Sequence, residues 1–551
     1  MKKKHRFYLS VISLFCLCLF WTLPARSAVE LSNTGAEYRF GQVKALSRPL
    51  HWKKLTTAHF EIYFYQGLEE LAERSGRILE EEAFDRVFPD FRRLYTLHPY
   101  RKIRVILFAS RNEYQNSQAS GLSLTDTSEG VAHILINRLV VIGQPTFRDL
   151  RGVLTHEITH LITIGPFKNN LLYGVTEGVP GWIAEGLAEY YMPAETRFPN
   201  REVALRDVVL RDAVDSLNTI SMVSGNLHYA EAWSLIDYIA RKYGQDQLVV
   251  MLEAVVKQGH RDQTFRRLFD RSLQELWTDW REELKEIYQV GADLSSYIEE
   301  NEPIFPDYLD QSMVKVGPGG EIFFLSTQQG RIYDLYRADG AEVQPLTDRT
   351  VFAYDLAPDG RQLVFLSDQE GERRLYHLEL TTGVVTPIVS EITNPIEVAW
   401  SPQGDRLAVV ANLKGDADLF LMAPDGRSLG VIADSLQDET APTWAPDGQH
   451  LIYVTPHEQY DQLYLWNGQT TRQLTRDHQH HRHPVWNGDG KVYCLVGDHG
   501  YYRPAVVDLT VGSAEPFWLH RESVLEFIPL EDAFLVTLYH DQKAQVYRFL
   551  P

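Results

Sequence analysis

Trp400-Ser401-Pro402-Gln403-Gly404 and Trp444-Ala445-Pro446-Asp447-Gly448 are two copies of one turn, 44 residues apart. Related turns stand at Pro318-Gly319-Gly320, Pro358-Asp359-Gly360 and Gly488-Asp489-Gly490, with a worn version near Pro529, at intervals of 40 to 44 residues. Glycine supplies the positive φ a tight turn needs, and proline, in the copies that carry it, presets the first dihedral. Each marker falls between two short apolar strands, as with Trp400 and Leu407-Ala408-Val409-Val410. A third strand follows, as in Asp418-Leu419-Phe420-Leu421 or Gln462-Leu463-Tyr464-Leu465. A multi-stranded unit recurring at about 40 residues is the pattern of propeller blades. A β-sandwich has no reason to keep so regular an interval. Six units fit between residues 313 and 551. The last reads Val524–Pro529, Phe534–Tyr539 and Gln545–Leu550 and lacks a fourth strand, leaving an edge that closed propellers avoid. The segment around Pro303–Gln311 is expected to supply that strand against Val546 or Phe549; its prolines suit an outermost strand.

Working outward, the 551 residues are too many for one core, and 44% hydrophobic with 23% charged content is ordinary for globular domains. A net charge of -20 argues against nucleic acid, which needs a basic stripe. Lys2, Lys3, Lys4, His5 and Arg6, an apolar run from Phe7 to Leu23, and Ala25-Arg26-Ser27-Ala28 have the layout of a secretory signal cleaved near Ser27 or Ala28. An uncleaved anchor helix is the alternative. Cleavage predicts an exported protein, periplasmic or secreted, with no membrane span. Only Cys494 then remains, so no internal disulfide can form, and a lone cysteine in a strand reads as a small buried hydrophobe.

Between His51 and Gly291 the pattern is mixed α and β. Lys102–Ala109 reads as a buried strand, and helices are expected from about Leu68, Arg148, Pro180, Tyr229, Gln247 and Leu273. The helix from Arg148 contains Thr155-His156-Glu157-Ile158-Thr159-His160, with a cap at Thr146 and Asp149 and a stop at Gly165-Pro166. Residues four apart share a helix face, so His156 and His160 can reach one ion while Glu157 is offset toward a water. A chain this long meets HExxH by chance in roughly 1–2% of cases, so context decides. Trp182-Ile183-Ala184-Glu185-Gly186-Leu187-Ala188-Glu189-Tyr190 reads as a second helix, entered at Pro180-Gly181 and ended before Pro193. Glu185 is a suitable third ligand for a catalytic zinc, and Glu189, one turn on, could accept a hydrogen bond from the free nitrogen of His156. The alternative for both is an exposed acidic helix face.

On these motifs the region 51–290 resembles a gluzincin of the bacterial peptidase-MA-like type. Further matching pieces are His51-Trp52 through His59-Phe60-Glu61-Ile62 and Tyr229-Ala230-Glu231-Ala232-Trp233. The repeats resemble TolB-type propellers. The first resemblance implies Zn2+-dependent peptide hydrolysis, with His156, His160 and Glu185 as ligands and Glu157 as general base. It also suggests Tyr229 as the group that stabilises the oxyanion, with His228 as rival; both could instead be core packing at a helix start. Gly130–Ile136, upstream of the metal helix, is the expected edge strand for an extended substrate. His478, His480, His481 and His483 form another cluster, a second metal site or a solvated loop.

The expected organisation is a signal peptide over 1–28, an N-terminal segment over 29–50, an α+β zincin-like metallopeptidase domain over 51–295, a linker over 296–312, and an all-β six-bladed propeller over 313–551. The expected partners are a peptide or protein substrate and an envelope protein held by the propeller. Two other readings compete: a non-catalytic envelope scaffold with a structural zincin domain, and a zinc hydrolase acting on a non-peptide amide. Zinc content separates the scaffold from the hydrolases, and a peptide library separates the two hydrolases.

Overall fold

The computed structural model describes residues 50–551 apart from 96–99, 111–112, 115–129, 145, 168–178, 197–198, 217–225, 260–261, 328–332, 369–372, 413–415 and 489. The signal and N-terminal segments lie outside the described residues. No described helix is long and apolar enough to cross a membrane.

The first domain is built on a five-stranded sheet of β1 (Trp52–Thr56), β2 (Phe60–Tyr65), β3 (Ile103–Phe108), β4 (Gly130–His133) and β5 (Arg138–Ile142). Their order is β1-β2-β3-β5-β4. The central strands are parallel, and β4 pairs antiparallel with β5 at the edge. Phe60, Ile62, Val105, Leu107, Leu139 and Val141 point into one core with the helices. This is what near-continuous apolar strands require when a helical layer covers the sheet. The helical stretch from Leu68 resolves into α1 (Glu69–Arg77), a π-helical turn (Ile78–Phe84) and α2 (Asp85–Phe91). Then come α3 (Phe147–Thr163), α4 (Gly181–Tyr191), α5 (Pro199–Leu210), α6 (Asn226–Tyr243), α7 (Asp246–Gln258), α8 (Asp262–Phe269) and α9 (Leu273–Ile287). The edge strand is shorter than its sequence suggests. After His133 the chain makes a 3-10 turn over Ile134–Ile136, and Asn137 in the left-handed region (φ 51°) reverses it into β5.

The second domain is a six-bladed propeller of antiparallel sheets: β6–β9, β10–β13, β14–β17, β18–β21, β22–β25 and β26–β28, running from Ser312 to Phe549. The turn glycines Gly320, Gly360, Gly404, Gly448 and Gly490 all have positive φ, which is why the repeat keeps them. Neighbouring blades are latched near their inner strands. Asp355 accepts the Trp400 amide at 2.7 Å and Glu397 accepts that of Ala441 at 2.6 Å.

The sixth sheet has three described strands, β26 (Val524–Pro529), β27 (Phe534–His540) and β28 (Lys543–Phe549), and the segment before β6 does lie on its open edge. Ile304 donates to the Val546 carbonyl and Gln311 to that of Ala544, both at 2.8 Å. The segment is nonetheless not a strand. Pro303 and Pro306 carry no N–H, and the Gln311 side chain takes the Val546 amide at 3.1 Å where a ladder carbonyl would otherwise stand. The histidine cluster also differs from expectation. His480, His481 and His483 lie on β22 (His480–Trp486) and part company there: His480 faces Asp461, His481 Asp477, and His483 the Phe527 carbonyl. Strand alternation sends neighbours to opposite faces, so these three are not a convergent ligand set, and only His478, exposed in the bend before the strand, fits the solvated loop.

Candidate metal centre

The site begins with α3. Thr146 is extended and its hydroxyl accepts the Asp149 amide at 3.0 Å, which fixes the start of the helix. Leu150, Leu154, Ile158, Leu161 and Ile162 bury one face. The adjoining face carries His156 and His160, whose Nε2 atoms stand 3.2 Å apart. Helix α4 crosses it, with Trp182, Ile183 and Leu187 in the core. Its Glu185 Oε2 lies 3.2 Å from His156 Nε2 and 3.4 Å from His160 Nε2. Two imidazoles and one carboxylate with such spacing suit a zinc ion. Tetrahedral bonds of ~2.0–2.1 Å place ligand atoms about 3.3 Å apart. The donor set therefore fits zinc, and His156, His160 and Glu185 are the residues that would hold it.

Glu189 is buried and sets its Oε1 3.0 Å from His156 Nδ1, the nitrogen turned away from the trio. Its other oxygen is taken by the guanidinium of Arg201 on α5, which also stacks 4.7 Å over the Tyr229 ring. Burial pushes the Glu189 carboxyl up, but His156 and Arg201 outweigh it and hold it below the usual range. Likewise burial pulls His156 down, and the carboxylates of Glu185 and Glu189 overcome this to hold it at about 10. A carboxylate behind a ligating histidine fixes its tautomer and ring orientation. Glu189→Gln is accordingly expected to weaken zinc binding by about 10–100-fold with the fold unchanged. Competition against a chromophoric chelator measures this, and an unchanged dissociation constant would leave Glu189 with a packing role only.

Glu157 stands outside the trio, beside β4. Burial raises its carboxyl, and it takes a hydrogen bond from the Ala132 amide. The fit is tight, since a Cβ on Gly130 would come within 2.9 Å of both Glu157 Cγ and Val153 Cγ1. Tyr229 sits edge-on to His156 with 5.9 Å between ring centroids, whereas His228 is buried beside it and interacts with Asp215. Of the two, Tyr229 is the one placed against a ligand. Arg201 is the site residue that the sequence reading missed. It stands on a helix with no apolar periodicity to announce it, and its distance from Glu189 becomes short only in three dimensions.

Two family models match the chain. Residues 97–286 match the peptidase MA superfamily, and residues 318–515 match the TolB β-propeller domain. The chain carries a peptidase MA superfamily domain followed by a TolB-type propeller. The peptidase MA match spans the helices that bear His156, His160, Glu185 and Tyr229, and it marks a peptidase-like protein. A TolB homologue of Chlorobium chlorochromatii is 33% identical over 108 residues, which is 19% of this chain and 24% of that protein. The chain thus spans about a quarter of the curated relative it matches. Among solved structures, a putative TolB from Agrobacterium tumefaciens is 20% identical with a TM-score of 0.32, over 36% of this chain and 74% of the other. TolB from Acinetobacter baumannii is 14% identical with a TM-score of 0.31, over 49% and 71%.

Proposed function

We propose that the protein is an exported zinc-dependent peptidase, periplasmic or secreted, whose propeller also offers a surface for a protein substrate or an envelope partner. The observation that carries the reading is the convergence of three donor atoms within 3.2–3.4 Å of one another, with Glu157 on the same helix yet outside the set. Export rests on the basic and apolar layout of Lys2–Ala28. Zinc, when bound, supplies a Lewis acid for the peptide carbonyl and lowers the pKa of water.

The chain's own residues do the rest. Strand β4 is an edge, so its outer backbone groups, apart from the Ala132 amide held by Glu157, can pair with an extended peptide laid along α3. Glu157, beside that strand, accepts a proton from the attacking water and delivers it to the leaving amine. A carboxyl raised by burial is better matched to both halves of that task than an ordinary one. Burial raises the Tyr229 phenol too, so it stays protonated and can donate to a developing oxyanion.

The direct test is zinc content together with hydrolysis of a peptide library by the purified chain. Near-stoichiometric zinc and activity lost to a chelator and restored by zinc are expected; a folded protein that binds no zinc overturns the reading. A narrower test uses Gly130→Ala, whose methyl would press on Glu157 and Val153 without touching the ligands. The expected result is kcat lower by about 10- to 100-fold with zinc affinity unchanged, since small misplacements of a catalytic group are costly.

A further inference from the structure

The N-terminus of the metal-binding helix is anchored on the propeller. The Phe147 and Arg148 amides donate to the two carboxylate oxygens of Asp438 at 2.8 and 2.9 Å. Asp438 is buried, lies between β17 (Ser428–Ala433) and β18 (Thr440–Trp444), and is itself held by the Ala417 amide at 3.0 Å. Two further buried carboxylates flank it. Asp461 binds the Arg148 guanidinium at 2.5 Å and is shared with Arg482 at 2.5 Å, and Asp416 lies 3.4 Å from Arg74 of α1. Amides in the first turn of a helix have no partner within it, and that end carries partial positive charge. A fixed carboxylate there both satisfies the amides and fixes the end of the helix in place.

The helix that carries Arg201 toward Glu189 rests on the propeller as well. Asp207 of α5 lies 3.3 Å from His540 Nδ1 and accepts the Asp541 amide at 3.1 Å, while Arg206 donates to the Arg521 carbonyl at 2.5 Å. Two of the helices that set the geometry around His156, α3 and α5, are therefore seated on blades.

We infer that the propeller is a positioning part of the metal centre, with Asp438 as the positioning residue that fixes helix α3 through the Phe147 and Arg148 amides. The inference rests on the metallopeptidase reading and changes the propeller's role from a recruiting module alone to a structural half of the site. A recruiting module acts on KM; a positioning one acts on zinc affinity and kcat.

The experiment compares the full-length wild type with Asp438→Ala and Asp438→Asn. Zinc affinity is read by chelator competition, kcat and KM on an internally quenched peptide, and helix stability by backbone hydrogen exchange. For Asp438→Ala the expected result is zinc binding weaker by about 10-fold, kcat lower by a similar factor and KM within about 2-fold. Exchange should be faster from Phe147 through His160, and Asp438→Asn, which keeps one acceptor, should fall between. Exchange faster only at Phe147 and Arg148 with zinc affinity unchanged overturns the inference, as does a rise in KM alone.

Loss of Asp438 could also disturb the Ala417 contact, so Phe147→Pro approaches from the helix side. Proline is accepted at the first helical position but has no amide to donate, and Thr146 is already extended as a residue before proline must be. It should reproduce the zinc effect, while Phe147→Leu, which keeps the amide, should not; equal behaviour of the two overturns the inference. A wild type that binds no zinc would sink the metallopeptidase reading instead, and the exchange experiment would still judge the anchor.

Discussion

Glu157→Gln should keep near-stoichiometric zinc and the fold while losing hydrolysis by about 10²–10⁴-fold. The magnitude is that of a positioned general acid–base. The reason for the split lies in the geometry. His156, His160 and Glu185 present their donor atoms to one another, whereas Glu157 turns to the Ala132 amide beside the edge strand. Glutamine matches the glutamate in shape and adds no charge to a buried position. His160→Ala should instead lose metal and activity together, because two protein ligands hold zinc far less well than three. Metal analysis beside a peptide-hydrolysis assay reads both variants. Substantial activity in Glu157→Gln, or zinc loss as complete as in His160→Ala, would show that Glu157 is a ligand or a bystander. A wild type that cleaves no peptide, with partner binding equal in both variants, would favour the scaffold alternative.

The parts of this site legible in the sequence are those written in local periodicity. Helix α3 could be read from its apolar spacing and its cap at Thr146, and α4 from Pro180 and the Trp182–Tyr190 run. Both elements formed close to where the pattern placed them, because each buries a continuous face and has its stop signal nearby. The propeller was legible for a related reason: its turns need glycine at positive φ, and that need recurs in five of the six blades. What stayed hidden depends on contacts between distant segments. Arg201 meets Glu189 across two helices, and Asp438 meets α3 from the other domain. The histidines of β22 misled for the opposite reason. They are close in sequence, but the strand gives His480, His481 and His483 different partners.

Gly186→Ala should destabilise the protein by about 1–3 kcal/mol and weaken zinc binding, although alanine is the better helix former. Propensity alone predicts the other sign, since glycine inside a helix costs about 1 kcal/mol relative to alanine. Packing reverses it here. A Cβ at Gly186 would stand 2.4 Å from the Ala232 carbonyl oxygen and 2.7 Å from Ile236 Cγ1, both on α6. The first of these neighbours is backbone and has no rotamer by which to withdraw. The helices would have to separate, and it is α4 that brings Glu185 and Glu189 to His156, while α6 carries Tyr229 to the same ring. Moving α4 outward takes Glu185 away from the two imidazoles, so stability and metal affinity should fall together. Valine at the same position should lose both more completely. Denaturant unfolding and chelator competition on the two variants decide the matter. An alanine variant more stable than wild type with unchanged zinc affinity would show that the crossing has slack, and that the close approach of α4 to α6 does not hold the third ligand in place.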